Sequence, residues 1–102
     1  MFMAKDKGPD SKILKELIME SAEEAASKVD GVFDVLDIKA DGDIDKKTVE
    51  LKIYIDVTYG YKIPAVSWDV QNAIKIAVKN ASGFNANRID IHIQGVGKER
   101  KK

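Results

Sequence analysis

The most constraining feature of the chain is a stretch in which apolar and polar residues alternate without a break. Its apolar positions are Val49, Leu51, Ile53, Ile55 and Val57. Successive side chains of a β-strand point to opposite faces of the sheet, so this period predicts a strand with one buried face and one open face. A second alternating segment follows at residues 88–94 and predicts another strand of the same kind.

The segment between these two strands predicts a helix. Tyr59-Gly60-Tyr61-Lys62-Ile63-Pro64 forms the connection, and proline is favoured in the first turn of a helix, where a missing amide costs nothing. The predicted helix runs over residues 64–81, with Gly83 just past its end. Its apolar residues cluster on one side of a helical wheel; they are Val66, Val70, Ala73, Ile74, Ala77, Val78 and Ala81.

An amphipathic helix is also predicted near the start of the chain. Asp10 or Ser11 can cap it, and Gly31 is suited to the left-handed conformation that ends a helix. Its predicted buried stripe consists of Ile13, Leu14, Leu17, Ile18, Ala22, Ala25 and Val29. The opposite side carries Glu16, Glu20, Glu23 and Ser27. Residues 1–10 are expected to be a disordered arm and residues 97–102 a charged, disordered tail.

A weaker strand is predicted over residues 32–40. Alternation places Leu36, Ile38 and Ala40 on one face and Val35, Asp37 and Lys39 on the other. The next residues, Asp41-Gly42-Asp43, have the composition of a hairpin turn.

The predicted elements follow the order α-β-β-α-β within a single domain over residues 11–96. Two helices with one apolar stripe each, and a sheet with one apolar face, predict an α+β fold: a two-layer α/β sandwich with a three-stranded mixed sheet and both helices on one face. The second helix returns the chain, so the last strand should run parallel to the strand at 49–57. The pattern leaves open whether the last strand pairs with that strand or with the one at 32–40.

Composition excludes several classes of function. Seventeen basic and seventeen acidic residues give a formal net charge of zero, which argues against a protein that coats nucleic acid. The chain has no cysteine, so disulfides, thiolate zinc sites and cysteine nucleophiles are excluded. No apolar run approaches the roughly 20 residues that span a bilayer, and the first residues lack the apolar core of a signal peptide. We therefore expect a cytoplasmic protein.

The residues able to do chemistry are few and scattered, so no catalytic, cofactor or metal site is predicted. His92 is the single histidine, and zinc needs three or four ligands. Ser67, Asp69 and His92 could suggest a hydrolase triad, but no nucleophile-elbow motif surrounds Ser67. We expect a protein that is not an enzyme and has no cofactor.

Trp68 is the most informative single residue. It falls nearly opposite the apolar stripe of the second helix, and outward aromatic and aliphatic side chains flanked by lysines are typical of contact surfaces. The candidate partner surface comprises Trp68, Asn72, Lys75, Ile76 and Lys79, with Tyr61 and Lys62 from the preceding loop. The alternative is a structural role, with Trp68 folded over Tyr61 and Pro64 as a lid on the start of the helix.

The segment from Val49 to Val96 resembles the alkaline shock protein family of Gram-positive bacteria. The resemblance is carried by the alternating strand, Tyr59-Gly60 with Ile63-Pro64, Val66, Val70-Gln71, Gly83 and the closing Ile91-His92-Ile93-Gln94-Gly95-Val96. An Ala-rich helix leading to Val29-Asp30-Gly31-Val32 matches the weaker upstream pattern. The resemblance implies a small, non-enzymatic cytoplasmic protein of cell-envelope and alkaline stress.

Three functional hypotheses follow. The first, implied by the resemblance, is a protein-interaction module that docks to a membrane-anchored protein partner or associates with itself as a homo-oligomer, with no direct membrane span. The second is a KH-like nucleic-acid-binding module, which the missing Gly-x-x-Gly loop argues against. The third is a regulatory subunit of a lipid-metabolism enzyme, which rests on family analogy alone.

Overall fold

The computed structural model describes residues 9–97, with side chains from residue 13 onwards. Five elements follow one another: α1 (Pro9–Ser27), β1 (Val32–Asp43), β2 (Thr48–Thr58), α2 (Ile63–Ser82) and β3 (Asn85–Gly97). This order, two helices and one mixed three-stranded sheet, confirms the predicted α+β architecture. The predicted N-terminal arm up to Gly8, and the tail after Gly97, lie outside the described residues. Helix α1 begins at Pro9, two residues before the predicted boundary.

The last strand pairs with the central strand, which resolves the alternative left open by the sequence. The sheet order is β1-β2-β3, with β1 antiparallel and β3 parallel to β2. Two parallel strands need a crossover connection, and α2 supplies it. Strand β2 therefore lies at the centre of the sheet, between the strand that precedes it and the strand that ends the described chain.

The hydrophobic core lies between the helices and one face of the sheet. The core-facing residues of β2 are those of the alternating pattern, and all are at most 1% exposed. Both helices pack on this face, α1 next to β1 and α2 next to β3. The buried helical residues are Ile18, Ala22, Ala26, Val66, Val70, Ile74 and Val78.

The stripe predicted for α1 is wrong at two positions. Ile13 is 61% exposed and Leu17 is 39% exposed. At about 100° per residue, Leu17 points roughly 100° and Ile13 roughly 140° away from the buried Ile18. Helix α1 therefore contacts the core through a narrower line than the predicted stripe, and this line includes Ala26, which the prediction omitted.

The faces predicted for β1 are also partly wrong, because the strand contains two β-bulges. The register with β2 shifts between Val32 and Asp34 and again between Val35 and Asp37. A bulge places an extra residue on one strand and breaks the simple alternation. As a result Val35 packs against the core while Leu36 is 48% exposed.

The hairpin turn lies three residues later than predicted. Asp41, Gly42 and Asp43 are not a turn but the end of β1, where they pair with the first residues of β2. The turn occupies residues 44–47. The Asp43 carboxylate accepts a hydrogen bond from the Lys46 amide at 3.2 Å, and Lys47 adopts a positive φ of 57°. Asp43 therefore does have the capping role typical of turns, but from the last position of the strand.

Gly31 joins α1 to β1 where no side chain fits. Its φ is +98°, and a Cβ atom there would lie 2.6 Å from Val66 Cγ2 and 2.8 Å from Tyr61 Cδ2. Gly60, in the loop before α2, has a similar φ of +96° but open space around it. The two glycines thus share a backbone conformation and differ in packing.

We expect Gly31→Ala to lower the free energy of unfolding by about 3 kcal/mol, because it adds overpacking to backbone strain. Gly60→Ala is the matched control and should cost only about 1–2 kcal/mol, since it adds strain alone. Urea unfolding followed by circular dichroism measures both changes. Equal losses of stability would show that the contact of the added methyl group at position 31 with Val66 and Tyr61 does not contribute to the loss.

Candidate functional site

Helix α2 presents the predicted partner surface to solvent because its buried residues recur every four positions. Val66, Val70, Ile74 and Val78 are buried against the sheet. This line fixes the rotation of the helix, so that Trp68 and Ile76 point outward, 64% and 62% exposed. Most of the Trp68 surface is thus left to solvent, which favours the contact-surface interpretation of this residue over the lid.

The polar members of the predicted surface are also exposed. Asn72, Lys75 and Lys79 lie on the outer side of α2. Lys79 has a structural role as well, since its ammonium donates to the Gly83 carbonyl at 3.4 Å at the end of the helix. A cation at this position also interacts favourably with the negative end of the helix dipole.

Tyr61 and Lys62, the two loop residues of the predicted surface, also help to build the start of α2. The Tyr61 ring lies over Gly31, where it closes the junction between α1 and β1. Lys62 is the N-cap residue, and its carbonyl accepts the Val66 amide at 3.0 Å. Both side chains are exposed, but substitutions at Tyr61 would disturb packing as well as any contact with a partner.

The structure divides the predicted surface into two regions. Lys75, Ile76 and Lys79 share a shallow groove of about 290 Å³ with Asn80 and the first residues of β3. Trp68 lies two helical turns away, roughly 12 Å along the axis, and points about 80° away from Ile76. One partner would need to cover both turns of the helix to contact Trp68 and Ile76 together.

Gln71 shows which side of α2 faces the edge of the sheet. Its side-chain amide donates to the Ile89 carbonyl of β3 at 2.9 Å. Residues three before and four after a helical position lie on the same side of the helix. Trp68 and Lys75 have these spacings from Gln71, so both lie on the β3 side of α2. The sequence contains no signal for this contact, because it depends on which strand ends up beneath the helix.

The open face of the sheet carries an aromatic pair. The rings of Tyr54 and His92 stack with centroids 4.7 Å apart and planes 14° apart, and the Lys39 ammonium lies 5.8 Å from the Tyr54 centroid. The register places Tyr54 opposite His92 on the neighbouring strand, which explains the stacking. Sequence alternation predicted the outward direction of both side chains, but their pairing required the strand order.

A groove with an acidic rim lies between α1 and the edge formed by β1. It has a volume of about 530 Å³, and its lining includes Glu16, Glu20, Glu23, Met19 and Leu36. The three glutamates were predicted to form a solvated surface, and they do face solvent. Among the described side chains, those of residues 13–97, no group of three or more His, Cys, Asp or Glu could hold a metal ion.

The residues that could suggest a hydrolase are separated by the sheet. Ser67 lies on α2, in the helical layer, whereas His92 is exposed on the open face of the sheet and stacks on Tyr54. The imidazole therefore has no access to the Ser67 hydroxyl. The geometry of these residues offers no nucleophile and base in contact.

Within the described part of the chain, neither helix is long and apolar enough to cross a membrane.

Solved structures share this fold at low sequence identity. A copper form of the MamM CTD superposes with a TM-score of 0.58 and 16% identity, covering 85% of this chain and 91% of that chain. Another MamM CTD structure gives a TM-score of 0.57 and 17% identity, covering 79% of this chain and 98% of that chain. At this level of identity the likeness concerns the fold alone.

Curated relatives come from Gram-positive bacteria. The uncharacterized protein YqhY of Bacillus subtilis is 31% identical over 100 residues, covering 82% of this chain and 74% of YqhY. The uncharacterized protein YloU of the same organism is 35% identical over 48 residues, covering 47% of this chain and 40% of YloU. A Streptococcus pyogenes relative is 32% identical over 53 residues, and the match spans 52% of this chain and 41% of that protein.

The family comparison agrees with the resemblance inferred from the residues. The model of the alkaline shock protein 23 family, described as having a cell envelope-related function, matches residues 37–98. This range contains β2, α2, β3 and most of β1. The match to more than half of the chain, together with the similarity to YqhY, shows that the chain belongs to this cell envelope-related family.

Proposed function

We propose that this domain is a non-enzymatic protein-interaction module that acts in cell-envelope stress homeostasis. It docks from the cytoplasm to a membrane-anchored protein partner, or to further copies of itself, through the outer surface of α2. The proposal combines the family assignment with the geometry of that helix. The docking surface consists of Trp68, Asn72, Lys75, Ile76 and Lys79, with Tyr61 and Lys62 at its edge.

The exposure of Trp68 and Ile76 is the observation that carries the proposal. Each leaves more than 60% of its surface in water, on a helix whose inner side is fully packed. Neither side chain therefore serves the core of the domain. Aromatic residues are enriched at protein interfaces, where a partner removes this apolar surface from water.

The distribution of potential catalytic groups supports a binding role. The single histidine is engaged in stacking with Tyr54 on the open sheet face. The groove beside Ile76 is lined by lysine ammonium groups, amide side chains and aliphatic carbons, with no carboxylate among its lining residues. Such a groove can bind a side chain or an acidic segment of a partner, but it has no general base for hydrolysis.

The open sheet face argues against the nucleic-acid alternative. In KH-type and related modules, phosphates are bound by a glycine loop or by basic side chains. Here carboxylates outnumber cations on that face; the exposed carboxylates are Asp37, Asp41 and Glu50, the half-buried ones are Asp56 and Asp90, and the cations are Lys39, Lys52 and Arg88. A polyanion would be repelled by this surface.

We expect the combined substitution Trp68→Ala and Ile76→Glu to release the protein from the membrane fraction of its native host after alkaline shock. The change removes the aromatic anchor and places a charge where an apolar contact is required. Sedimentation of membranes followed by immunoblotting measures the bound fraction. Glu20→Gln is the matched control, because it changes an exposed residue of the other helix, and it should leave the bound fraction unchanged. Retention of the double variant at the membrane would exclude the α2 surface as the docking site.

We expect the same two α2 substitutions, made singly, to change the free energy of unfolding by no more than about 0.5 kcal/mol, as is usual for exposed positions. Ile74→Ala, on the buried side of α2, should cost about 2–5 kcal/mol. Urea unfolding compares the three variants. A loss of more than about 2 kcal/mol in Trp68→Ala would favour a structural role for Trp68.

We expect binding to single-stranded RNA to be weak and nearly independent of salt. A protein that contacts Z phosphates of a single strand shows a slope of about −0.7Z in a plot of log K against log salt concentration. Fluorescence anisotropy with a labelled oligonucleotide measures this slope between low and physiological salt. A slope of about −3 or steeper would show several phosphate contacts and contradict the proposal.

A further inference from the structure

The outer edge of β3 is the second notable surface of the domain. In the sheet order β1-β2-β3, β3 pairs with β2 on one side, and no strand within residues 9–97 pairs with its other side. An open edge presents a row of backbone amides and carbonyls that can add a further strand. The two edges of this sheet differ in how they are protected against such pairing.

The β1 edge is protected in three ways. Two bulges, at Phe33 and Leu36, interrupt its regular backbone. Four of its residues are aspartates: Asp34, Asp37, Asp41 and Asp43. The Asp37 carboxylate also accepts the Ile38 amide at 2.9 Å, so that this amide already has a partner. Bulges and charged side chains are the usual means by which natural sheets prevent edge pairing.

The β3 edge also has two bulges, but it contains only two charged residues, Arg88 and Asp90. From Ile91 to Gly97 the strand contains no Lys, Arg, Asp, Glu or Pro. Its two register shifts, at Asn87 and Gln94, leave a regular segment over residues 88–93. The Gln71 side chain of α2 donates to the Ile89 carbonyl, and we infer from this contact that the backbone of Ile89 faces the open edge, where its carbonyl already has one partner. The N–H and C=O groups of successive residues point to opposite edges of a strand. Those of Ile91 and Ile93 therefore point to the same edge as those of Ile89.

We propose that this edge pairs with the same edge of a second copy of the chain. The two β3 strands run antiparallel about a two-fold axis, with Ile91 opposite the partner's Ile91, and double the three-stranded sheet. The proposal rests on the proposed function as an interaction module and names a second copy as the occupant of this edge. A closed two-fold pair uses the same surface on both copies.

The register follows from the side chains. With Ile91 at the centre, Asp90 lies opposite the partner's His92 on the open face, and Ile89 lies opposite the partner's Ile93 on the core face. The first pair brings together a carboxylate and an imidazole, and the second brings together two half-buried aliphatic chains. Centring on residue 90 would place two carboxylates opposite each other, and centring on residue 92 would place two imidazoles opposite each other. Of these three registers, only the one centred on Ile91 avoids two identical titratable side chains opposite each other on the open face.

The position of Trp68 agrees with the same axis. Gln71 contacts β3 at Ile89, and Ile91 lies about 6.6 Å further along the strand. Helix α2 runs antiparallel to β3, so a step toward the N-terminus of α2 corresponds to a step toward the C-terminus of β3. Trp68 is three residues, or about 4.5 Å, from Gln71 in that direction. It therefore lies nearly level with Ile91 and on the β3 side of the helix.

Pairing about Ile91 would bring the two α2 helices side by side on the same face of the enlarged sheet. The exposed Trp68 of each copy would then fill the space between the helices, next to the two-fold axis. This arrangement accounts for a large aromatic side chain that is 64% exposed in the single chain. Residues close to the centre of an interface contribute most to its affinity.

Analytical ultracentrifugation of the purified full chain tests the proposal, together with the variant Trp68→Glu. We expect a concentration-dependent dimer and a dissociation constant raised about 30-fold or more in the variant, because two carboxylates then meet at the axis. Ile13→Glu is the matched control. It introduces the same charge at a similarly exposed aliphatic position on α1, which packs next to β1 and lies outside the proposed docking surface, and it should leave the dimer intact.

Amide hydrogen exchange measured by NMR provides a second test that needs no substitution. We expect the Ile91 and Ile93 amides to exchange more slowly as the protein concentration rises, while the amides of the β1 edge do not change. If the protein remains monomeric at millimolar concentration, the proposal is wrong. The binding partner of this edge would then be an extended segment of another protein. A dimer weakened by Ile13→Glu but not by Trp68→Glu would also overturn it. Either failure is distinct from a failure of membrane docking, since these measurements use the purified chain alone.

Discussion

The burial of one face of β2 is the interaction on which the rest of the structure depends. Five aliphatic side chains from Val49 to Val57 are removed almost completely from water, and each such burial contributes about 1.5–3 kcal/mol. No single helix is wide enough to cover this row. Helix α1 covers the side next to β1, and α2 covers the side next to β3. The positions of both helices, and thus the direction of every exposed side chain on them, follow from this requirement.

The extent to which sequence alone predicted the fold varies between elements. Strand β2 and helix α2 were predictable because each has a single strong period, of two and of about 3.6 residues. Strand β1 was harder, since Val32-Phe33-Asp34 and Val35-Leu36-Asp37 repeat with a period of three. Two bulges accommodate this repeat, and they exchange the faces of Val35 and Leu36. In α1, the apolar side chains cover a wider arc of the helix surface than the sheet and α2 can bury. Periodicity alone could therefore not identify Ile13 and Leu17 as exposed.

The sequence predicted which side chains of the candidate surface point outward, but not how these side chains lie relative to one another. The regular spacing from Val66 to Val78 requires Trp68 and Ile76 to point outward, whatever lies beneath the helix. Their separation into two regions, and the place of Trp68 beside an open strand, depend on the pairing of β3 with β2 and on the contact made by Gln71. These are tertiary relations between residues far apart in the sequence. The functional assignment likewise needed the family comparison, since no residue pattern in the chain specifies a partner.

The parallel pairing of β3 with the central strand also has a consequence for biosynthesis. Strand β2 is translated in the middle of the chain, yet one of its two edges stays unpaired until residues 85–97 have been made. The hairpin of β1 and β2 with α1 can form earlier, but it would expose the apolar side of β2 that α2 and β3 later cover. Such intermediates aggregate readily. We therefore expect the nascent chain to reach its native state only after β3 has left the ribosome, which makes the exit of this strand the decisive event in its synthesis.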